Sequence, residues 1–257
     1  MAIFQTGESV FPKDYKPLLD LYETQDAIGR LKQIFAEELS DRLNLKRVSA
    51  PLFVDPSSGL NDDLSGIERA VSFDIPHAAC NGEVVHSLAK WKRLALHRYD
   101  FFPNKGLYTD MNAIRREEEL DNYHSIYVDQ WDWELVVQET QRNFQTVQLV
   151  VEQIHTAIGH TSERLRYKYP QLPKIGNGDI FFVSAAELER MKPNLTTDER
   201  ENWIAKDKGA VFIHGIGYPL ASGEPHSRRA PDYDDWDLNG DIVYYDEVSE
   251  RAMELSS

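Results

Sequence analysis

The 257-residue sequence contains one cysteine, Cys80, so it cannot form an internal disulfide bond. Such sparing use of cysteine fits a reducing compartment, and we expect a cytoplasmic protein. No pattern of partner residues marks Cys80 as a nucleophile. The N-terminus lacks a signal-peptide profile and no apolar run reaches membrane length, so no membrane association is expected.

Basic residues are scarce as well. The chain carries 28 lysines and arginines against 43 aspartates and glutamates, a net charge of −15. A charge of this sign disfavours nucleic acids and anionic membranes as general partners. It remains compatible with a local basic pocket for a nucleotide.

The common phosphate-binding and zinc-binding motifs are absent. The sequence has no GxxxxGK[ST] loop, no GxGxxG and no zinc-ligand spacing, so any ATP site is not of the P-loop type. Internal repeats and low-complexity segments are also lacking. A chain of this length buries a full core as one large or two small domains. Residues 1–15 are expected to form an N-terminal extension.

Hydrophobic periodicity predicts alternating helices and strands. Helices are expected at residues 18–43, 87–96, 136–168 with a break near Gly159, 185–192 and 198–206. Strands are expected at residues 48–54, 70–75, 83–86, 106–114, 124–134, 180–183, 209–217, 238–245 and 251–257. Asn81 and Gly82 predict a turn between two of the strands, and Pro51 indicates an edge or interface position.

Residues 124–134 (HSIYVDQWDWE) are the central stretch of the chain. Alternation along a strand places Val128, Gln130, Asp132 and Glu134 on one face. One interpretation is a half-exposed strand whose polar residues lie in water. The other is a polar binding floor, on which Gln130 and Asp132 hold the amino group of a small substrate.

The densest basic cluster, Lys90, Lys92 and Arg93, follows Ser87, a candidate N-cap. The cluster fits either a solvated helix face or an anion site near a helix N-terminus. Asp62 and Asp63 fit either a cap or a functional role.

The charged segment at residues 228–236 fits an exposed loop or a shaped pocket. A hairpin centred near Glu247 and Val248 would place Asp241 roughly opposite Glu254. Two facing carboxylates repel unless a cation such as Mg²⁺ lies between them. A different strand register would keep them apart.

Several strings closely resemble those of the ammonia-dependent asparagine synthetases, also called aspartate–ammonia ligases. The resemblance runs from about residue 25 to Ser257. The strings are DLSG (63–66), VVHSLAKWKR (84–93), YVDQWDWE (127–134), AKD (205–207), RAPDYDDW (229–236), LNGDI (238–242) and ELSS (254–257).

The resemblance implies one catalytic domain over residues 1–257. Its expected fold is α+β, an antiparallel six-stranded-type sheet flanked by helices, like the catalytic domain of class II aminoacyl-tRNA synthetases. The helix that ends at Leu43 and the strand with Pro51 resemble the first motif of that fold, which builds a homodimer. The strand from Gly106, Arg115 and the next strand resemble the second motif.

The reaction implied by the resemblance uses aspartate, ammonia and Mg²⁺-bound ATP. The β-carboxylate of aspartate attacks the α-phosphorus, giving β-aspartyl-AMP and pyrophosphate, and ammonia then releases asparagine and AMP. Substitution at phosphorus depends mainly on positioning and charge neutralisation.

Residue roles follow from the same matching. Arg115 is expected to contact the α-phosphate, and Asp62 to bind or deprotonate the incoming ammonium. Asp62, Ser87, Lys92, Gln130 and Asp132 form the implied aspartate-recognition set, with Asp62, Arg115 and Gln130 as the catalytic group. Further expected ligands are Asp241 and Glu254 for Mg²⁺ and phosphates, Asp234 and Ser257 for the nucleotide, and Ser256 for the substrate.

The family pattern continues beyond Ser257 with a glycine-rich third motif that contains an ATP-binding arginine. Three interpretations follow: a fragment of an active ligase, a shortened non-catalytic paralogue acting as a binding or regulatory subunit, or an enzyme resembling the aminoacyl-tRNA synthetases. The first is favoured and the third is ranked lowest.

Overall fold

A computed structural model describes residues 15–62, 64, 66–176, 178–230 and 232–257. The predicted extension, residues 1–15, lies outside this range except for Tyr15, and so does Asp63. In chain order, the elements are α1 (Leu21–Leu43), β1 (Leu45–Arg47), β2 (Phe53–Val54), β3 (Ser72–Ile75), β4 (Cys80–Val84), α2 (Ala89–Arg98), β5 (Gly106–Ile114), β6 (Tyr127–Leu135), α3 (Phe144–Lys168), β7 (Phe181–Ser184), α4 (Ala185–Met191), α5 (Thr197–Lys208), β8 (Ala210–His214), β9 (Gly240–Asp246) and β10 (Arg251–Ser256).

The described chain divides into two compact units. The first contains Leu45–Gln138 and Arg229–Asp234, and the second contains residues 15–44, Glu139–Arg228 and Asp235–Ser257. The single domain expected from the sequence therefore stays a prediction. Within the described ranges, none of the helices combines the length and apolar character that crossing a bilayer requires.

The first unit contains two three-stranded sheets, β1-β5-β6 and β2-β4-β3. The long antiparallel pair β5–β6 is its largest ladder, running from Gly106 opposite Leu135 to Ile114 opposite Tyr127. Helix α2 packs its apolar side onto this ladder. The buried cluster there consists of Val54, Val85, Leu88, Met111 and Ala113, with Val128 of β6 against it.

Two expectations for the first unit are wrong in detail. The strand predicted at residues 48–54 shrinks to Phe53–Val54, and Pro51 just before it cannot donate a ladder hydrogen bond. Asn81 and Gly82 do not turn the chain, because both lie inside β4. A Cβ at Gly82 would lie 2.8 Å from the Phe73 ring, so glycine serves close packing there. The chain reverses at the 3₁₀ turn Pro76–Ala78 instead.

The second unit contains a four-stranded sheet in the order β10-β9-β8-β7. Strands β7 and β8 pair in parallel, because the intervening α4 and α5 form the crossover that a parallel pair requires. The core of this unit includes Val183, Leu188, Ile204, Ile213 and Val243. Thr196 caps the start of α5 and forms a reciprocal capping box with Glu199.

Helix α3 departs from its prediction at both points of interest. It begins at Phe144 rather than near residue 136, because the Asn143 side chain accepts the Thr146 N–H and caps it. It then passes unbroken through Gly159. A Cβ at this glycine would lie 2.7 Å from the Gly176 carbonyl oxygen, so the residue allows a close backbone approach and does not break the helix.

The α+β class predicted from the sequence is confirmed. The expected single antiparallel sheet differs from the observed pairing. The described strands form three sheets, and the pairs β1–β5 and β7–β8 are parallel.

Candidate active site

Asp62 is fully buried at the N-terminal end of α2. Its Oδ2 accepts hydrogen bonds from the Ser87 hydroxyl and, at 2.7 Å, from the Ala89 N–H. Its Oδ1 accepts the Lys90 N–H at 3.3 Å. Asp62, rather than Ser87, therefore supplies the acceptor for the first N–H groups of α2, and the prediction of Ser87 as N-cap is wrong. The negative carboxylate also complements the positive end of the helix dipole.

The turn that carries Asp62 is itself held in place. The Asn61 side chain accepts the His86 N–H at 2.9 Å and donates to the Val84 carbonyl at 3.3 Å. The His86 ring lies 3.2 Å from the Asp62 carbonyl oxygen. A carboxylate offers about four acceptor positions, so three intramolecular donors leave Asp62 room for about one more. Asp62 could accept a proton donor from a ligand without losing its cap.

Lys92 is a buried lysine, 6% exposed, one turn into α2. Its ammonium pairs with Asp132, lies 3.4 Å from Glu134 and donates to the Trp133 carbonyl at 2.7 Å. Burial lowers the pKa of Lys92, but the negative charges of Asp132 and Glu134 outweigh burial and raise the pKa overall. The interpretation of this cluster as a solvated helix face is therefore wrong for Lys92, which stays charged as part of a buried ion pair.

The polar face of β6 has the composition that strand alternation predicts. Asp132 lies opposite Thr109, Gln130 opposite Met111 and Val128 opposite Ala113, and all three β5 partners are buried. Paired residues of an antiparallel ladder project to the same side. Gln130 and Asp132 are half-buried on the face where Lys92 of α2 contacts Asp132, and β6 is an edge strand of its sheet. The polar binding floor stays a prediction.

Arg115 leaves the end of β5, and its N–H donates to the Ile126 carbonyl at 2.8 Å. The guanidinium lies 3.7 Å from Glu118, beyond hydrogen-bond length. Its Nε is buried and has no hydrogen-bond partner within the described chain. The backbone of Arg115 is therefore held at the end of the ladder, and the Nε donor of its guanidinium is unused within the described chain.

Asp234 lies on the segment Arg229–Asp234, which joins the first unit although it comes much later in the sequence. Its Oδ2 accepts a hydrogen bond from Arg229 Nε at 2.7 Å. Next to it, burial and the negative charge of Asp62 raise the pKa of Tyr233 to about 12. The segment therefore belongs to the surroundings of Asp62.

The remaining predicted ligands lie in the second unit on β9 and β10. Asp241 and Glu254 are not directly opposite each other, because Glu254 pairs with Val243 and a register shift follows before Ser256 pairs with Ile242. Asp241 and Val243 lie two residues apart on one strand face, so Asp241 and Glu254 are diagonal neighbours. Ser257 follows the end of β10.

Carboxylate oxygens at these two positions suit Mg²⁺, which prefers oxygen ligands and is commonly completed by substrate phosphates. No group of three or more His, Cys, Asp or Glu side chains in the described ranges is arranged to hold a metal ion. The predicted Mg²⁺ site consists of only two protein carboxylates, Asp241 and Glu254, and is smaller than such a group. It stays a prediction.

Sequence reasoning missed three supporting contacts. Glu134 contacts Lys92, Asn61 anchors the Asp62 turn, and Lys90 bonds to Asp232 at 2.9 Å. Glu134 shares the strand face of Asp132, so the alternation already contained a signal for its role. The other two contacts join distant parts of the chain and leave no spacing pattern.

The fold is similar to that of solved class II aminoacyl-tRNA synthetases. It is similar to an asparaginyl-tRNA synthetase from Pyrococcus horikoshii complexed with asparaginyl-adenylate, with a TM-score of 0.58 at 13% identity over 85% of this chain and 51% of that chain. It is also similar to an Entamoeba histolytica asparaginyl-tRNA synthetase, with a TM-score of 0.55 at 11% identity, covering 87% of this chain and 50% of that one. The chain therefore has the fold of this catalytic domain, and it carries a site of paired charges between α2 and β6.

Sequence comparison then identifies the family. The family model described as aspartate-ammonia ligase matches residues 22–257. An aspartate–ammonia ligase of Clostridium perfringens strain SM101 is 58% identical over 96% of this chain and 74% of its own length. One from Clostridium tetani is 53% identical over 100% of this chain and 76% of its own length. The chain belongs to the aspartate–ammonia ligase family and spans about three quarters of the length of these relatives.

Proposed function

We propose that the chain catalyses the ATP-dependent conversion of aspartate and ammonia to asparagine through β-aspartyl-AMP, releasing AMP and pyrophosphate. The observation that carries the proposal is the buried Lys92–Asp132 pair on the floor formed by α2 and β6. An amino-acid zwitterion has the same two charges in complementary order. The carboxylate of the zwitterion can pair with Lys92 and its ammonium can pair with Asp132. Binding would therefore replace the Lys92–Asp132 ion pair with two ion pairs to the ligand.

Gln130 and Ser87 complete the aspartate site in this proposal. Gln130 shares the strand face of Asp132 and can accept a hydrogen bond from the same ammonium. Ser87 already donates its hydroxyl to Asp62 and therefore fixes the direction of that carboxylate. Asp62, with about one acceptor position left, receives the ammonium nitrogen that becomes the amide.

Arg115 provides charge neutralisation in the first step. A carboxylate is a poor electrophile, and adenylation gives it a good leaving group. The negative charge that develops around the α-phosphorus needs fixed positive groups. Arg115 suits this role because its guanidinium can contact two phosphate oxygens at once and has donor capacity that the described chain leaves unused.

In the second unit, Asp241, Glu254 and Ser257 are proposed nucleotide ligands and Ser256 a substrate ligand, on the basis of the family motifs. Asp241 and Glu254 would hold Mg²⁺, which neutralises phosphate charge when bound. Asp234 of the first unit is a further proposed nucleotide ligand.

We also propose a cytoplasmic homodimer. The sequence contains a single cysteine, Cys80, and such sparing use of cysteine is typical of a reducing compartment. Helix α1 exposes large apolar side chains, including Leu21 at 89% and Tyr22 at 83%. An apolar helix surface of this kind is typical of a protein–protein interface, and it lies on the element that the family motif associates with dimerisation.

The test is production of asparagine by the 257-residue chain from aspartate, ¹⁵N-labelled ammonium and Mg²⁺-ATP, with AMP and pyrophosphate followed in parallel. We expect labelled asparagine and AMP in equal amounts. Aspartate-dependent pyrophosphate release without asparagine would support adenylation alone. Aspartate binding with no pyrophosphate release would overturn the proposed activity and favour a non-catalytic binding subunit.

Two matched pairs of variants assign the roles. Arg115→Ala should lower pyrophosphate release by about 10²-fold or more, as loss of a transition-state donor does, while the neighbouring Arg116→Ala should have little effect. Gln130→Ala should raise the Michaelis constant for aspartate, while Asp129→Ala, on the opposite face of β6, should not. Equal effects within either pair would refute that assignment.

A further inference from the structure

Two basic residues of α2 contact the segment Arg229–Asp234, which belongs to the first unit. Lys90 Nζ lies 2.9 Å from Asp232 Oδ2, and Arg93 Nη2 donates to the Tyr233 carbonyl at 2.5 Å. The Lys90 ammonium also lies 6.0 Å from the centre of the Tyr233 ring, at the outer limit of a cation–π contact. We refer to Lys90, Arg93 and their contacts on this segment as the latch.

Lys90 also connects the segment to the turn that carries Asp62. Its Nζ lies 3.4 Å from the Asn61 carbonyl oxygen, and its backbone N–H donates to Asp62. One side chain therefore bridges the Asn61–Asp62 turn and Asp232. The electrostatic influence of Asp62 on Tyr233 agrees with this proximity.

Exposure separates the latch from the buried ion pair next to it on the same helix. The Lys92 side chain is 8% exposed, whereas the Lys90 and Arg93 side chains are 22% and 52% exposed. The segment itself ends in Asp234, whose carboxylate is held by Arg229 at 2.7 Å. The position of Asp234 therefore depends on where α2 holds the segment.

We propose that Lys90 and Arg93 are positioning residues, which hold the segment Arg229–Asp234 against α2 so that Asp234 and Tyr233 lie correctly beside the Asp62 end of the site. The inference rests on the proposed function for the role of Asp234 as a nucleotide ligand. Opening of the latch leaves α2, Lys92 and Asp132 in place and displaces the segment alone.

Cleavage by trypsin measures latch opening without any need for activity. The bond between Arg229 and Ala230 lies inside the segment, and Ala230 is buried, so cleavage requires the segment to open. When opening and closing are fast, the cleavage rate follows the population of the open form. Lys90→Met and Arg93→Met should each speed cleavage at this bond by about two- to five-fold, as expected for partly exposed polar contacts.

Three comparisons make the cleavage result specific. Arg98→Met, an exposed change on the same helix, should leave the rate unchanged. Asp232→Asn should speed cleavage about as much as Lys90→Met, and the double variant should be cleaved no faster than either single variant, because both changes remove the same ion pair. Unchanged cleavage in Lys90→Met, or additive effects in the double variant, would overturn the latch.

Kinetics then test the consequence for the site. Lys90→Met should raise the Michaelis constant for ATP by about two- to five-fold while turnover at saturating ATP stays within about two-fold of the wild type. Substitution of a residue that merely supports the fold would instead lower turnover and the melting temperature and leave the Michaelis constant for ATP unchanged. A wild-type chain with no activity would refute the proposed function, whereas the cleavage experiment would still decide the latch.

Discussion

At the scale of single residues, the site depends on buried charges that compensate each other. Lys92 lies between Asp132 and Glu134, and removal of either sign leaves an uncompensated charge in a region with little water. Asp62 is stabilised differently, by a hydroxyl and two N–H groups of a helix start. A zwitterionic ligand can replace the Lys92–Asp132 ion pair with two new ion pairs. The hydrogen bonds of Asp62 instead keep its carboxylate fixed in position.

Substitution of Lys92 tests this charge compensation. Lys92→Met should lower the free energy of unfolding by about 3–5 kcal/mol, because it leaves Asp132 without its cation and Glu134 with only the more distant Arg93 at 3.5 Å. Asp132→Asn should cost less, since Glu134 remains 3.4 Å from the ammonium. Urea unfolding gives the comparison, with the exposed Asp129→Asn as control. A larger loss in Asp132→Asn than in Lys92→Met would contradict this account.

At the scale of elements, helix α3 shows how a residue that weakens a helix locally can be required by its packing. Glycine at position 159 disfavours an isolated helix, and the sequence therefore predicted a break there. The Gly176 backbone lies against it and leaves no space for a Cβ. The tertiary contact thus retains glycine while the helix continues.

Two glycine-to-alanine changes separate local preference from packing. Gly29→Ala, on the exposed side of α1, places its Cβ in open space and should stabilise the protein by up to about 1 kcal/mol. Gly159→Ala should destabilise it by about 1–3 kcal/mol, because the new Cβ meets the Gly176 carbonyl. Thermal unfolding measures both. Stabilisation by Gly159→Ala would show that the two segments separate at little cost.

At the scale of the whole molecule, acidity and an apolar helix surface act in opposite directions. The net charge of −15 keeps copies of the chain apart at long range. The exposed residues Leu21, Ile28 and Leu31 of α1 recur at i, i+7 and i+10, and they offer short-range apolar contact to a second copy. Association should therefore strengthen with salt, which screens the repulsion.

Charged substitutions on α1 test the proposed homodimer. Ile28→Asp should shift the protein to monomer in sedimentation velocity, because two-fold symmetry places each new charge in the apolar interface twice. Leu149→Asp changes an exposed leucine of similar character on α3 and serves as control. Dimers that persist in Ile28→Asp, or that dissociate equally in Leu149→Asp, would refute an α1 interface.

The sequence by itself determined the class, the family and most elements of this protein. Periodicity and capping residues act over a few neighbouring positions, so helices such as α1 and α5 and the strand β5 were predictable, and long motif strings carried the family. Only the tertiary structure decided that Asp62 caps a helix that begins 27 residues later, and that Lys92 meets Asp132 at a separation of 40 residues. It also decided the register of β9 and β10 and the continuity of α3. These features depend on which distant groups come together in a low-dielectric interior. The spacing of residues along the chain does not indicate which groups those are.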